Sequence, residues 1–229
     1  MTAISWYGHS AFKICANGVS VLVDPFLAGN PLCPVRPADV GPVDMVLVTH
    51  DHGDHVGQAV EICKATGAML GAVVETAGAL AARGVPQTQI FGGIGFNLGG
   101  TVEHKGVRVT MIPAFHTSET GVPVGYIIQM PDGVTVYHAG DTCLFGDMAV
   151  WAQLYPIDVA LLPIGGHFTM DARQAATACA LLHCRQVIPM HWKTFPALEQ
   201  TTAAFTEDLR DAAPRCRCLD MNPGDTVEI

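Results

Sequence analysis

The stretch "VLVTHDHGDH", residues 46–55, places three histidines and two aspartates directly behind an apolar run. Burying so many imidazole and carboxylate groups is costly unless a bound divalent cation offsets their desolvation. Gly53 permits the tight backbone turn that would direct the neighbouring side chains toward one point. We therefore interpret four residues of this stretch as metal ligands: His50, His52, Asp54 and His55.

Three further strand-like runs are followed by residues of the same chemical type. The runs 107–113, 134–140 and 186–190 lead to His116, Asp141 and His191, respectively. In α/β architectures, the loops at the carboxyl ends of strands carry function. The seven candidate ligands exceed what one tetrahedral ion uses. The sequence therefore predicts two divalent ions, with Asp141 placed to bridge them.

Short apolar segments rich in β-branched residues recur along the chain and predict strands. They cover residues 19–24, 43–50, 68–74, 107–113, 125–130, 134–140, 158–165 and 186–191. Segments with an apolar stripe at helical spacing predict helices over 56–66, 75–83, 171–183 and 200–212. Strands interleaved with helices are typical of an α/β layered domain with the sheets inside. We expect one domain over residues 1–229.

The composition of the chain argues against nucleic-acid-binding and membrane proteins. The chain has 229 residues, is 49% hydrophobic and carries a formal net charge of −9, so it offers no basic field for nucleic acid or anionic lipid. No stretch reaches the roughly 18 apolar residues of a membrane span, and the first residues do not resemble an export signal. These features predict a soluble cytoplasmic protein that acts on a small molecule and has neither nucleic-acid nor membrane partners. A homo-oligomer is left open.

The eight cysteines are spaced irregularly along the chain. Without an export signal they are better interpreted as reduced thiols than as a disulfide framework. Cys216 and Cys218 in "RCRC" lack a second cysteine pair at zinc-finger spacing, so this motif is weak evidence for zinc. We interpret the cysteines as small buried hydrophobic residues.

The motif His-x-His-x-Asp-His at residues 50–55, followed in order by His116, Asp141 and His191, resembles the signature of the metallo-β-lactamase fold superfamily. The stretches "WYGHSAF" (6–12), "VLVDPF" (21–26) and "LPIGGHFTMD" (162–171) resemble more narrowly the small bacterial metal-dependent hydrolases related to the ascorbate 6-phosphate lactonase. The resemblance covers essentially the whole chain and implies a four-layer αββα sandwich. It also implies how the ligands divide: His50, His52 and His116 at one metal, and Asp54, His55 and His191 at the other, with Asp141 between them.

Two adjacent divalent ions can lower the pKa of a shared water toward about 7 and so supply a bridging hydroxide as nucleophile. The ligands therefore predict a hydrolase of an ester-like bond, either a lactone or a phosphodiester. Asp54 is the candidate to orient or deprotonate the nucleophile. Imidazole and carboxylate ligands leave zinc, manganese, iron, nickel and cobalt open, and we take zinc as the first candidate and manganese as the second. Three alternatives remain: a nuclease of the same fold, an iron-dependent redox enzyme and a non-catalytic metal-binding protein.

Five other residues are candidates for supporting roles. His167 follows the strand at 158–165 and is predicted to contact substrate or to act as general acid for the leaving group. His9 is predicted to line the substrate pocket. Lys193 and Thr194 are the nearest cationic and hydroxyl groups to an anionic substrate. Asp24 either supports a metal ligand from behind or begins a turn.

Overall fold

The protein is described by a computed structural model that covers residues 1–229. Its strands form two sheets, with the orders β13-β1-β2-β3-β4-β5 and β12-β11-β10-β9-β8-β7-β6. The strands are β1 Ala3–Trp6, β2 Phe12–Ala16, β3 Val19–Val23, β4 Met45–Leu47, β5 Met69–Gly71, β6 Thr101–His104, β7 Val107–Pro113, β8 Val124–Gln129, β9 Thr135–His138, β10 Val159–Pro163, β11 Gln186–Met190, β12 Arg217–Cys218 and β13 Thr226–Glu228. The helices are α1 Gly53–Val56, α2 Ala59–Thr66, α3 Val74–Ala82, α4 Met148–Leu154, α5 Ala172–Leu182 and α6 Ala203–Ala212.

Both faces of the first sheet are buried. One face packs against the second sheet in a cluster that includes Ile14 and Tyr126, and the other packs against α2 and α3 in a separate cluster that includes Leu22 and Leu80. Helices α5 and α6 contribute residues such as Phe205 to the cluster of the second sheet. Burial of apolar side chains on both sides of each sheet accounts for the continuous apolar runs of the sequence. The layers are those of the predicted αββα fold.

Parallel pairing brings several strand ends to one edge. Strands β3, β4 and β5 are mutually parallel, with Val21 opposite Met45 and Met45 opposite Met69. Strands β9, β10 and β11 are also parallel. The chain leaves the carboxyl ends of β4, β9 and β11 just before the predicted metal ligands. Because these ends share one edge of the sandwich, residues far apart in sequence meet there.

All eight predicted strands and all four predicted helices are present, with ends that differ by a few residues. The strands that sequence patterning missed are β1, β2, β6, β12 and β13, and the missed helices are α1 and α4. Helix α4 buries only Met148, so its apolar stripe is too short to be recognised. No helix combines the length and hydropathy that crossing a membrane requires.

Candidate metal centre

The segment after β4 builds most of the centre. His50 follows β4 and is fully buried, His52 has extended backbone angles and directly precedes α1, and Asp54 and His55 lie within that helix. A single helical turn directly behind a strand reverses the chain within a few residues. The side chains of residues 50–55 therefore converge at the edge of the sheet.

The predicted ligands fall into two groups. His50, His52 and His116 form the first, because their ligand atoms all lie within 4.8 Å of one another. Nε2 of His50 is 3.0 Å from Nδ1 of His52. The second group contains Asp54, His55 and His191 within the same limit, and His9 joins them. A further cluster, His50, His55 and Asp141, draws on both groups, and the assignment of the ligands to two separate ions stays a prediction.

Asp141 lies between the two groups. Its Oδ2 atom is 2.9 Å from Nε2 of His191 and 3.3 Å from Nε2 of His55, and it is 3.7 Å from Nε2 of His116. The side chain is only 3% exposed. One carboxylate oxygen thus lies within 4 Å of members of both groups.

Unsatisfied polar atoms provide an independent test of the metal hypothesis. Oδ1 of Asp141, Nε2 of His55 and Nδ1 of His191 are buried and have no hydrogen-bond partner. The His55–Asp141 approach is close enough for an ion pair, but its angles do not make a hydrogen bond. Leaving buried polar atoms unpaired is costly. Imidazole and carboxylate donors suit Zn²⁺ or Mn²⁺, so these residues fit a metal centre.

Asp24 orients His55 from behind. Oδ2 of Asp24 is 2.7 Å from Nδ1 of His55, and the same carboxylate accepts hydrogen bonds from the backbone N–H and hydroxyl of Thr49. An imidazole that donates from Nδ1 presents the lone pair of Nε2 to a metal. The sequence left open whether Asp24 supports a metal ligand or begins a turn. Its hydrogen bond to His55 fits the first of these roles.

Three non-glycine residues of the centre have left-handed backbone angles. The φ angles are 54° at His9, 45° at Asp24 and 57° at His191. Such angles cost on the order of 1–3 kcal/mol each and persist where surrounding structure enforces them. The carbonyl of His9 accepts hydrogen bonds from the indole N–H of Trp6 and the backbone N–H of His191. These bonds lock two of the three strained residues together.

His9 is fully buried and contacts Asp54 rather than open solvent. Its Nε2 is 3.2 Å from Oδ2 of Asp54, and its Nδ1 is 3.0 Å from the hydroxyl of Thr194. Burial, followed by the neighbouring His191, lowers the pKa of His9 to about 4. The neutral ring therefore donates from Nε2 to the Asp54 carboxylate and accepts at Nδ1 from Thr194.

The electrostatics of the centre depend on burial and on paired carboxylates. Burial lowers the pKa of His50 to about 3, which leaves its imidazole neutral at pH 7. Burial also opposes charge on His55, but Asp141 and Asp24 outweigh it and raise the pKa of that imidazole well above its usual value. A cation at this position would take the place of the His55 proton, so metal binding is coupled to proton release.

Two residues predicted to contact substrate, His167 and Lys193, are not members of either ligand group. His167 is exposed on the segment after β10, where its ring packs edge-on against Phe168. The ammonium of Lys193 lies 6.0 Å from the ring centroid of Trp192. Thr194, by contrast, is buried against His9. The substrate roles of His9, His167, Lys193 and Thr194 stay predictions.

Asp51 is a residue that sequence reasoning missed. Its carboxylate accepts hydrogen bonds from the hydroxyl of Ser118, the backbone N–H of Glu119, and both the N–H and the hydroxyl of Thr120. It thereby holds the loop that follows His116 against the segment that carries His50 and His52. No local pattern in residues 50–55 identifies this role, because the partners of Asp51 lie 67 to 69 positions away in the sequence.

A cavity of about 600 Å³ opens beside the first ligand group, and we name it the His116 cavity. It is lined by Leu98, Pro113, Ala114, Phe115, His116, Val122 and Pro123. Phe115 is 57% exposed and Val122 is 45% exposed. The rim of the centre therefore offers apolar surface next to a candidate ligand.

Comparison with known proteins identifies the family of this chain. The family model described as "Beta-lactamase superfamily domain" matches residues 20–192, a span that contains all seven predicted ligands. The chain belongs to the β-lactamase superfamily. The metallo-β-lactamase fold predicted from the motif is thereby confirmed.

Similar proteins identify a narrower family within this superfamily. It is 59% identical over 228 residues to a "UPF0173 metal-dependent hydrolase" of Nitratidesulfovibrio vulgaris (strain DP4), covering 100% of this chain and 95% of that protein. It is 44% identical over 234 residues to the UPF0173 metal-dependent hydrolase MK1542 of Methanopyrus kandleri, covering 98% and 99%. These relatives place it in the UPF0173 metal-dependent hydrolase family, and the predicted enzyme class is confirmed at that level.

One solved structure is similar to this chain in both fold and sequence. Igni18, described as a novel metallo hydrolase from the archaeon Ignicoccus hospitalis, is 39% identical and superposes with a TM-score of 0.89. The match covers 99% of this chain and 97% of Igni18. The arrangement of both sheets is thus shared across nearly the full length.

Proposed function

We propose that this metal-dependent hydrolase cleaves a carboxylic ester bond of a small molecule, with a lactone as the leading substrate class, at a centre that holds two divalent ions. The observation that carries the proposal is the division of the ligands into two groups joined by Asp141. A non-catalytic metal-binding protein has no need for two adjacent groups that share one carboxylate.

The ligand assignment follows the two groups. His50, His52 and His116 would hold one ion, and Asp54, His55 and His191 would hold the other, with Asp141 common to both. Divalent ions bound there supply a nucleophilic water at neutral pH and polarise the oxygen of the bond under attack. Zinc is the first candidate and manganese the second, since both accept imidazole and carboxylate ligands.

Asp54 and His9 act as a pair in this proposal. The Oδ2 atom of Asp54 is engaged by Nε2 of His9 at 3.2 Å, which fixes the orientation of the carboxylate. Its side chain is 30% exposed, whereas Asp141 is only 3% exposed. Asp54 is therefore the carboxylate that can reach both the ligand group and an incoming water, orient that water and accept its proton.

The lining of the His116 cavity favours a carboxylic ester over a phosphodiester. None of its seven lining residues is a lysine or an arginine, and most are apolar. The ammonium of Lys193 is engaged with Trp192. A phosphodiester keeps its negative charge and prefers cationic partners, whereas an apolar lactone gains from burial against Phe115 and Val122. The net charge of −9 likewise disfavours a nuclease.

The test is hydrolysis of a matched panel by protein reconstituted with Zn²⁺ or Mn²⁺. The panel contains lactones with short and long alkyl substituents, a phosphodiester, a thioester and a lactam. We expect turnover of lactones that rises with alkyl length and falls at least about a hundredfold in Asp54→Asn at equal metal content. Asp39→Asn, which changes an exposed carboxylate, is the control.

Three results would contradict the proposal. Turnover confined to the phosphodiester would reassign the bond class, and undiminished lactone turnover in Asp54→Asn would remove Asp54 from the chemistry. Binding of a single ion per chain by elemental analysis, with full activity, would reject the dinuclear centre.

A further inference from the structure

Three cysteines converge at a place remote from the His/Asp centre. Cys179 lies in α5, Cys184 follows the end of that helix, and Cys216 precedes β12. Their sulfur atoms all lie within 4.8 Å of one another. The sulfurs of Cys184 and Cys216 are 3.5 Å apart. We name these three residues the cysteine cluster.

The cluster and the His/Asp centre lie at opposite ends of the same strand. Cys184 comes two residues before β11, and His191 follows its last residue directly. Seven residues of extended chain span roughly 20 Å. The cluster is therefore separate from the ligand groups of the centre and has no place in the proposed hydrolysis.

One side of the cluster is closed by protein and the other is open. Cys179 is 1% exposed and Cys184 is 4% exposed, whereas Cys216 is half-buried. All three line a cavity of about 650 Å³ formed by the ends of α5 and α6. An ion or small ligand can therefore reach the sulfur atoms from solvent through this cavity.

We propose that Cys179, Cys184 and Cys216 form a second metal site, which binds one thiophilic ion of the Zn²⁺ type through three thiolates and leaves the fourth position facing the cavity. A Zn–S bond of about 2.3 Å in tetrahedral geometry places two sulfurs about 3.8 Å apart. The separations in the cluster, from 3.5 Å to at most 4.8 Å, bracket that value. Small side-chain adjustments therefore suffice to form the site.

The charge of the surroundings suits such a site. Three thiolates around one divalent cation carry a net formal charge of about −1. Arg185 and Arg215 line the same cavity and supply compensating positive charge. Arg185 also pairs with Asp158 at 3.4 Å, so Arg215 is the less committed of the two guanidinium groups.

Binding would connect parts of the chain that are otherwise weakly tied. β12 consists of two residues, lies at the edge of its sheet and pairs only with β11. An ion held by all three cysteines links the segment before β12 to the end of α5 and the start of β11. A cross-link between residues distant in sequence stabilises the folded state by restricting the unfolded chain.

Cobalt titration of the full-length, metal-free protein under a phosphine reductant tests the proposal. Thiolate-bound Co²⁺ absorbs strongly in the near ultraviolet through sulfur-to-metal charge transfer, whereas Co²⁺ bound by histidine and aspartate does not. We expect this band to saturate at one Co²⁺ per chain beyond any bound at the His/Asp centre, and to disappear when Zn²⁺ is added.

Cysteine-to-serine variants identify the thiols that produce the charge-transfer band. Cys216→Ser and, separately, Cys184→Ser should abolish it while leaving the far-ultraviolet circular dichroism unchanged. Cys218→Ser, which alters a half-buried cysteine two residues from the cluster, should retain it. Cys143→Ser should also retain it, which excludes the exposed thiol two residues beyond Asp141 as the source.

Three outcomes would overturn the proposal. In the first, the charge-transfer band is absent from the wild-type protein. In the second, the band survives in both Cys216→Ser and Cys184→Ser. In the third, mass spectrometry of protein prepared without reductant finds a Cys184–Cys216 disulfide, and the reduced protein binds no thiolate-ligated cobalt. None of these results depends on hydrolytic activity, so the site can fail while the proposed function stands.

Discussion

Nδ1 of His55 lies 2.7 Å from Oδ2 of Asp24, and both side chains are completely buried. This pair fixes the ring of a candidate metal ligand so that its other nitrogen faces Asp141. The carboxylate is itself held by two hydrogen bonds from Thr49. The position of His55 is therefore set by a network behind the centre as well as by the helix that carries it.

Replacing Asp24 with asparagine tests this support. The amide cannot carry the negative charge that strengthens the hydrogen bond from Nδ1, so we expect metal affinity at the His55 group to fall about 10- to 100-fold. Competition with a chromophoric chelator measures the change. Asp39→Asn, at an exposed carboxylate paired with Arg36, is the control. Equal affinities for both variants and the wild type would show that Asp24 is not needed to hold the ligand.

Asp51 should control the order of the loop at residues 117–121. In Asp51→Ala the loop loses every hydrogen bond that Ser118, Glu119 and Thr120 donate to this carboxylate. We expect faster amide hydrogen exchange in the loop and a loss of roughly tenfold in kcat/KM, about 1.4 kcal/mol. Ser118→Ala removes one of these bonds and should have a smaller effect. Unchanged exchange in Asp51→Ala would mean that other contacts hold the loop.

Gly165 should tolerate no side chain. A Cβ atom there would lie 3.1 Å from Nδ1 of His191 and 3.2 Å from the side chain of Leu198, and it would collide with the carbonyl oxygen of His191. We expect Gly165→Ala to lower the free energy of unfolding by about 1–3 kcal/mol in urea titrations. Gly146→Ala is the matched control, since nothing lies within 4 Å of the added atom. A Gly165→Ala variant as stable as this control would refute the close-contact argument.

The surface pair of Asp44 and Lys105 should contribute to stability in a pH-dependent way. Partial burial opposes ionisation of Asp44, but hydrogen bonds from Lys105 and Ser20 outweigh it and lower the pKa of the carboxyl. A lowered folded pKa means that the contribution is complete above the unfolded pKa of about 4 and is lost as pH falls through the folded value. The stability gap between wild type and Asp44→Asn should therefore close on acidification.

The measurement for this pair is urea unfolding of both proteins between pH 7 and pH 3. Loss of metal at low pH affects both proteins alike and cancels in the difference. A gap that stayed constant over the whole range would show that ionised Asp44 contributes nothing to stability.

Local sequence patterns were sufficient for most of the fold. Continuous apolar runs such as 45–48 predicted strands because strands covered on both faces have no polar side to alternate with. The missed elements lacked that signal. β1 and β2 alternate buried and half-buried residues and so lack a continuous apolar run, and β12 has only two residues. Their pairing in the sheet, rather than their composition, makes them strands.

The candidate ligands could also be found from sequence. Four of them lie in residues 50–55, and the other three each follow a recognisable strand. Strands β7 and β9 are both antiparallel to β8 and so run in the same direction, and β9, β10 and β11 are parallel, which brings the ends that precede these three residues to one edge. The contact of His9 with Asp54 could not be found in this way. It depends on a left-handed backbone at residue 9 and on two hydrogen bonds to its carbonyl, which arise only once β1 and β11 are assembled.

The sequence by itself predicted the layered fold and the candidate metal ligands, because strand periodicity and a six-residue motif are short-range properties of the chain. Tertiary structure alone decided which distant side chains meet. Asp51 holds the loop after His116 across 67 or more positions, and Cys216 reaches Cys184 across 32. Such contacts follow from the pairing and packing of whole sheets, which no local pattern encodes.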